Sequence, residues 1–409
     1  MATLLLLAGA CGVHAFDAPT YRGKGDSLVD KTIASDTQIA LKLDPDEQDL
    51  AGDGWRVLRH DVERGRIACG EPGADFTLWA QRNAPRVREI RSIVQADYSA
   101  APDEVKLVFI IGHVPVPYSG TGDAWTVGNH YSGALPADGF YADPISAYGV
   151  LGWSDLNTVS ADQVSIETGV HYPGVPPCYN NPGDGKFDQD AVPTPAPLGI
   201  GRVDLSLEPE FHVNEATLLS RYLDKDHDFR TGVFSVKRRM ISVCWSPAEV
   251  HFCAAPGSEL AFGSDVLHIS DQSMHWFPNV SAQGQDYLVG YGGGYGGGGS
   301  AFGIGTTGNW GTPDGDGVNS SKNNFVDYDS RVVFVSFFGS FFGNWEEWKD
   351  LLKAPLANPY DPPMAGMVTA WLHAGLVVRA AISLELLKHW DRPLVRHSSP
   401  SSQSMFIRL

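Results

Sequence analysis

Tyr287-Leu-Val-Gly290-Tyr-Gly-Gly-Gly294 and Arg331-Val-Val-Phe-Val-Ser-Phe-Phe-Gly339 are two apolar runs of strand length, each opening into glycine. Their β-branched and aromatic content is that of strands buried on both faces. Glycine at the end of each lets the backbone turn sharply or approach a neighbour closely. In an α/β sheet, loops at the carboxyl ends of adjacent parallel strands form the usual ligand crevice. The stretch from Gln285 to Trp345 therefore reads as the centre of a site, although no nucleophile stands beside a base within it. Gly292 to Gly299 also lacks the Gly-Lys-Ser/Thr ending of a phosphate-binding loop.

Working outward, Trp55–His60 alternates like a strand, and Pro85–Tyr98 places Val87, Ile90, Ile93 and Val94 on one helical face. Val105–Ile111, apolar except for Lys106, reads as a buried strand. Strand, helix and strand at this spacing make a βαβ unit, which implies a parallel sheet. Further strands are expected at Leu198–Arg202, Lys237–Cys244, Val266–Ile269 and Met367–Leu372. Helices are expected around Thr32–Leu43 and at Glu208–Asp224, Glu259–Phe262, Trp345–Leu352 and Leu376–Trp390. The fold class is α/β, a doubly wound, mostly parallel sheet with a long inserted loop region over 112–197. The expected organisation is a signal peptide at 1–15, an N-terminal segment with the first βα units at 16–100, the main α/β domain at 101–390 and a frayed tail at 391–409.

With 43% hydrophobic residues among 409 there is ample material for a core, and a net charge of -18 disfavours nucleic acid and anionic membranes as partners. Met1 to Ala15 is apolar and ends in small residues, which suggests export to the periplasm or exterior. It is too short to span a bilayer, so no integral membrane segment is expected. Cys69, Cys178, Cys244 and Cys253 then remain, an even number compatible with disulfides in an oxidising compartment. No Cys-x-x-Cys pair points to a zinc site.

Val108-Phe-Ile-Ile-Gly-His113-Val-Pro115, then Asp138-Gly-Phe-Tyr141-Ala-Asp143, then Gly199-Ile-Gly-Arg202 ahead of a helix resemble, in that order, the gingipain-type cysteine peptidases. The resemblance runs from about Lys106 to Trp345 and implies a caspase-like fold. It also implies a general-base histidine in a turn after one strand and a nucleophilic cysteine in a turn after the next. Tyr291 and Phe337 stand at those positions here. Tyrosine titrates at about 10 and phenylalanine not at all, so thiolate and imidazole chemistry is not expected from this pair.

Other chemistry-bearing residues remain. Cys244 ends an earlier strand, and Cys244 or Cys253 in the crevice beside a histidine keeps an active cysteine endopeptidase open as an alternative. Ser300 and Ser340 lie in the two glycine-rich loops, outside any Gly-x-Ser-x-Gly elbow. His113, at the end of its strand, is expected to face the same crevice as Tyr291, with His130, Asp138, Tyr141 and Asp143 converging from the long excursion. Asn181, Asp184, Asp188 and Asp190 alternate oxygen ligands on a glycine turn, as calcium requires, although the EF-hand spacing is not met. A solvated turn accounts for the same residues. Asp314-Gly-Asp316-Gly-Val-Asn319 is a weaker copy. The candidate catalytic set is His113, Asp138, Asp143, Tyr291 and Ser340, with calcium as the cofactor and a small molecule or peptide as the substrate. The expected function is a secreted or periplasmic hydrolase of a small ester, lactone or amide, the other alternative being an inactive peptidase-like binding or structural protein.

Overall fold

The computed structural model describes residues 20–66, 79–119, 135–147, 152–155, 183, 185–189, 192–245, 262–270, 276–294, 296–297, 299–310, 320–338, 346 and 349–359. The first half runs β1 (Gly23–Asp30), α1 (Lys31–Ala34), α2 (Thr37–Gly52), β2 (Trp55–Val62), α3 (Trp79–Ala100) and β3 (Val105–Ile111). Short strands β4 (Tyr118–Ser119) and β5 (Leu135–Pro136) follow, then α4 (Gly139–Ala142), β6 (Gly199–Val203) and α5 (Glu215–Arg230). The second half has β7 (Met240–Cys244), β8 (Val266–Ser270), a helix at Trp276–Gln283 and β9 (Tyr287–Gly293). It continues through the short β10 (Gly296–Gly297), β11 (Ser300–Ala301) and β12 (Gly305–Thr306) to β13 (Val332–Phe338) and a helix at Ala354–Ala357.

The long strands form two four-stranded sheets, ordered β2-β1-β3-β6 and β13-β9-β7-β8. Every pairing in both is parallel. Counted within its own half, each sheet places its second strand at one edge, then its first, third and fourth. The same winding is used twice. The parallel α/β class expected from periodicity is what forms, with its strands divided between two sheets that share a core. Val29, Phe109 and Ile111 of the first sheet, Leu218 and Tyr222 of α5, and Ile241, Val243 and Val335 of the second sheet belong to one buried cluster. No helix among the described residues is long and apolar enough to cross a membrane.

Three local expectations are corrected. The residues ahead of the helix expected around Thr32–Leu43, where no strand is expected, hold a central strand, β1, which pairs on both sides and is buried although it carries Asp26, Ser27 and Asp30. The helix expected at Glu208–Asp224 begins at Glu215, because Leu207 and His212 take φ of 61° and 54° and Pro209–Phe211 makes a separate 3-10 turn. The helix expected at Trp345–Leu352 does not run through Lys349, whose φ of 67° lies in the left-handed region. The segments at Met367–Leu372 and Leu376–Trp390 lie outside the described residues, as does Glu259–Phe262 apart from Phe262.

Helix α5 starts where it does because Asn214 stays extended and its Oδ1 accepts from the Thr217 amide at 2.9 Å. Asn214→Ala is expected to destabilise the chain by about 1 kcal/mol. Chemical denaturation should show a lower midpoint with an unchanged slope. An unchanged midpoint would mean that the cap contributes nothing.

Candidate functional site

Three adjacent strands of the first sheet each present a polar residue at the carboxyl end: Asp30 as the last residue of β1, His113 after β3 and Asp204 after β6. Gly112 makes the exit of β3 feasible, since its φ is 82° and a Cβ there would fall 2.8 Å from the Asp30 Cβ. Its amide donates to the Val203 carbonyl at 2.8 Å, which extends the β3-β6 ladder by one step. His113 and Asp204 consequently leave their strands side by side. His113 Nδ1 lies 2.7 Å from Asp204 Oδ2 and 3.1 Å from Ser206 Oγ. Asp204 Oδ1 accepts from the amide and hydroxyl of Ser206 at 3.0 and 2.6 Å. Across the ring, His113 Nε2 faces Glu346 Oε1 at 3.8 Å.

Charged neighbours enclose this core. Lys353 donates to the Ser206 carbonyl at 2.7 Å and lies 3.5 Å from Glu208, which accepts from the Asp350 amide at 2.9 Å. Arg64 bridges Asp30 at 2.5 Å and Glu215 at 2.7 Å. His113, Asp204 and Glu346 have side-chain exposures of 0%, 1% and 0%, so their electrostatics act without solvent screening.

Burial alone would lower the His113 pKa, but the Asp204 charge, its hydrogen bond and Glu346 outweigh that and hold it above the ordinary value. Asp204 is held well below the carboxylate range, since His113, Lys353 and Arg202 overcome the burial that would raise it. A charged, hydrogen-bonded pair results, and it is the form that two buried partners 2.7 Å apart favour. Glu346 has no such full compensation. Burial pushes it up to about 7, with the nearby His113 charge opposing. Glu208 goes to about 8 by burial, against the pull of Lys353. The cluster thus combines an imidazolium with a facing carboxylate that changes protonation near neutrality, the combination required for acid-base work.

The other expected residues fall as follows. Asp138 is engaged by Arg202, whose Nε and one terminal nitrogen each reach it at 2.8 Å while the other terminal nitrogen donates to the Val114 carbonyl at 2.7 Å. Its expected place as a free carboxylate beside His113 is taken by Asp204. Asp143 accepts from Trp153 Nε1 at 2.9 Å, from Thr194 Oγ1 at 2.5 Å and from the Ser146 hydroxyl. The Tyr141 hydroxyl donates to the Pro115 carbonyl at 2.7 Å. These three groups organise the loop.

Tyr291 packs with Met240 and Phe262 in a small separate cluster, and burial raises its hydroxyl pKa. Phe337 is buried and sits in register with Gly292 on the neighbouring strand. Cys244 is disulfide-bonded, so it offers no thiolate. Ser340, His130, Asn181, Asp184 and Asp190 lie outside the described residues, as does Asp314-Gly-Asp316-Gly-Val-Asn319. Asp188 accepts from Ser154 Oγ at 2.8 Å. Asp155 gathers the same turn by accepting from the amides of Gly183 and Gly185 at 3.0 and 2.9 Å.

Sequence reading found His113 and missed its partners. Asp204 had a usable signal, since it directly follows Gly199-Ile-Gly-Arg202-Val203, the strand expected next after the histidine strand. Glu346, 233 positions beyond His113 by subtraction of their numbers, had none.

No protein-family model matches the chain, and no curated protein matches it in sequence. Among solved structures, it is similar to the Arg-specific cysteine proteinase gingipain R at 10% identity and a TM-score of 0.44, over 85% of this chain and 62% of that one. A complex of the pro- and mature domains of Porphyromonas gingivalis RgpB aligns at 12% identity and a TM-score of 0.44, over 85% and 63%. The chain spans less than two thirds of the length of either.

Proposed function

We propose that this chain is an exported hydrolase of a small ester, lactone or amide, in which His113 and the carboxylates facing it activate water. The observation that carries the reading is the orientation of His113, with Nδ1 fixed by Asp204 and Nε2 turned toward Glu346, a carboxyl that burial pushes up to about 7. Glu346 takes a proton from water as the oxygen adds to the substrate carbonyl. The His113 imidazolium gives its Nε2 proton to the leaving oxygen or nitrogen. Transfer of the proton from Glu346 to His113 restores the starting state. His113 acts in the charged form that Asp204 favours, while Glu346 acts as the carboxylate it becomes above its raised pKa.

Two features turn the reading away from cysteine chemistry. Tyr291 and Phe337 occupy the positions at which the sequence resemblance implies a histidine and a cysteine, and Cys244 is committed to a disulfide. The disulfide also supports an oxidising compartment. Calcium is the proposed cofactor at Asn181, Asp184, Asp188 and Asp190, with Asp155 already organising part of that turn. An oxygen-rich donor set of this kind suits a hard cation, which would supply loop rigidity there.

A chromogenic panel of esters, lactones and peptides tests the proposal, run with and without a calcium chelator and after thiol alkylation. Turnover that survives alkylation and falls with chelation is expected. Glu346→Gln is the sharper test, because it keeps the shape and removes the titrating group. It should reduce turnover by about 100-fold to 10000-fold without loss of folding. Wild-type activity in Glu346→Gln would refute the role of Glu346.

The near-zero exposure of His113, Asp204 and Glu346 favours a second reading, in which the cluster holds strand ends together in a non-catalytic binding protein. Silence across the whole panel with calcium present would select it.

A further inference from the structure

Away from the His113 cluster, the first sheet carries another group of titratable side chains. Strand β1 runs parallel to β2 with Asp26 opposite Leu58 and Leu28 opposite His60, so these four side chains share one face. Helix α3 covers that face, where Val87, Ile90 and Val94 pack with Leu28, Val108 and Ile110. Asp97, three residues after Val94, extends the covering stripe of α3 by one turn. One ligand atom from each of Asp26, His60 and Asp97 lies within 4.8 Å of the others.

Asp26 is the informative member. Its side chain is 0% exposed, and among the described residues neither carboxylate oxygen has a hydrogen-bond partner. The charged group among the described residues that bears on it is Asp97, which repels it. A carboxylate so placed is costly unless something positive meets it. His60 Nε2 lies 2.7 Å from Asp97 Oδ2, and this pair remains about a third exposed, at 30% and 27%. The group therefore has a closed end, formed by Asp26, and an end open to solvent.

We infer that Asp26, His60 and Asp97 form a binding site for a divalent transition-metal ion of the zinc class. One imidazole and two carboxylates provide three protein ligands, and the partly exposed side leaves a position for water. The imidazole selects against magnesium and calcium, which take oxygen ligands. A dication balances the two carboxylates and gives Asp26 the partner it lacks. Binding requires the three donors to close around the ion and the His60 and Asp97 contact to open from hydrogen-bond to ligand-to-ligand spacing. A substrate or regulator reaching this ion would do so at the α3 and β2 edge, apart from the His113 cluster.

The test uses the full chain, stripped with a chelator and titrated with zinc by calorimetry, with cobalt as a spectroscopic stand-in. One ion per chain is expected, with a higher melting temperature in zinc and a visible cobalt spectrum of low-symmetry coordination. Asp26→Asn keeps the side-chain shape and should weaken zinc binding by more than about 100-fold, beyond the losses that changes around a ligand produce. In chelator the same variant should melt no lower than the wild type, since a buried unpaired carboxylate has been removed. His60→Gln, at a partly exposed position, should also lose the cobalt spectrum while remaining folded. Two results would overturn the site: no zinc-dependent melting shift in the wild type, or zinc bound by both variants as tightly as by the wild type.

Discussion

His113→Ala should lower the unfolding free energy by about 3–5 kcal/mol, which is the usual consequence of removing one partner of a buried ion pair. The reason is specific to Asp204. Its Oδ2 would lose the contact made at 2.7 Å, at a position where the side chain is 1% exposed. Water cannot reach it without local opening. Asp204 would then have to keep a charge opposed only by the more distant Lys353 and Arg202, or take up a proton. The loss should be smaller near pH 4 than at pH 7, because an Asp204 freed from His113 is easier to protonate in acid. Chemical denaturation of both proteins at the two pH values checks this. Equal stability of variant and wild type at pH 7 would mean that water or another donor already satisfies Asp204. Under the proposed function, turnover should disappear as well, and Glu346→Gln separates that loss from the loss of stability.

Raising the pH from 5 to 8 should destabilise the protein, and this is the second large effect. Burial raises six carboxyl groups among the described residues: Asp26 to about 7, with Asp97 adding; Asp46 to about 7, with Asp226 adding and Arg230 opposing; Glu208 to about 8, with Lys353 opposing; Glu346 to about 7, with His113 opposing; and Glu215 and Asp226, with Arg64 and Arg230 respectively opposing. Each has a folded-state pKa above its unfolded value, so the folded chain holds protons that the unfolded chain has released. Stability must then fall as the pH rises from the unfolded values near 4 toward 7 or 8. His113 acts in the same direction. Its folded pKa is raised, so its contribution is complete below the unfolded value and is lost as the pH rises through the folded one. Asp204 is depressed, and its contribution is lost only in stronger acid.

A tenfold difference in proton affinity between the folded and unfolded chain is worth about 1.4 kcal/mol. Several such groups together should lower the melting temperature by on the order of 10 °C between pH 5 and pH 8 in the presence of chelator. Asp26→Asn and Glu346→Gln should each flatten the profile. Added zinc should flatten it through Asp26 alone, if that residue is a ligand. A level profile in the wild type would mean that these carboxylates are hydrated or paired in solution.

Composition and local pattern were enough for the class of fold. Val105–Ile111 reads as a buried strand from six apolar positions around Lys106 and is one. The helical face of Val87, Ile90 and Val94 packs where its period requires. These are nearest-neighbour properties of the chain, and hydrophobic periodicity encodes them directly. Strand β1 shows the limit. Gly-Lys-Gly-Asp-Ser-Leu-Val-Asp has little strand signal, and it becomes central because β2 and β3 pair with its two edges. Turn geometry shows the same limit at Lys349, where a left-handed residue ends what the spacing of Trp345, Trp348 and Leu352 suggests as a helix.

The site divides along the same line. From local pattern alone His113 is expected to leave a buried parallel strand through a glycine, and it does. Tertiary structure decided which carboxylate it meets. Asp138, 25 positions away by subtraction, is claimed by Arg202, while Asp204 and Glu346 arrive from the next strand of the sheet and from the far end of the second half. The physical reason is that a carboxylate's role depends on which cation reaches it in a buried space. Strand order and register set that competition, and neither is written in the spacing of residues along the chain.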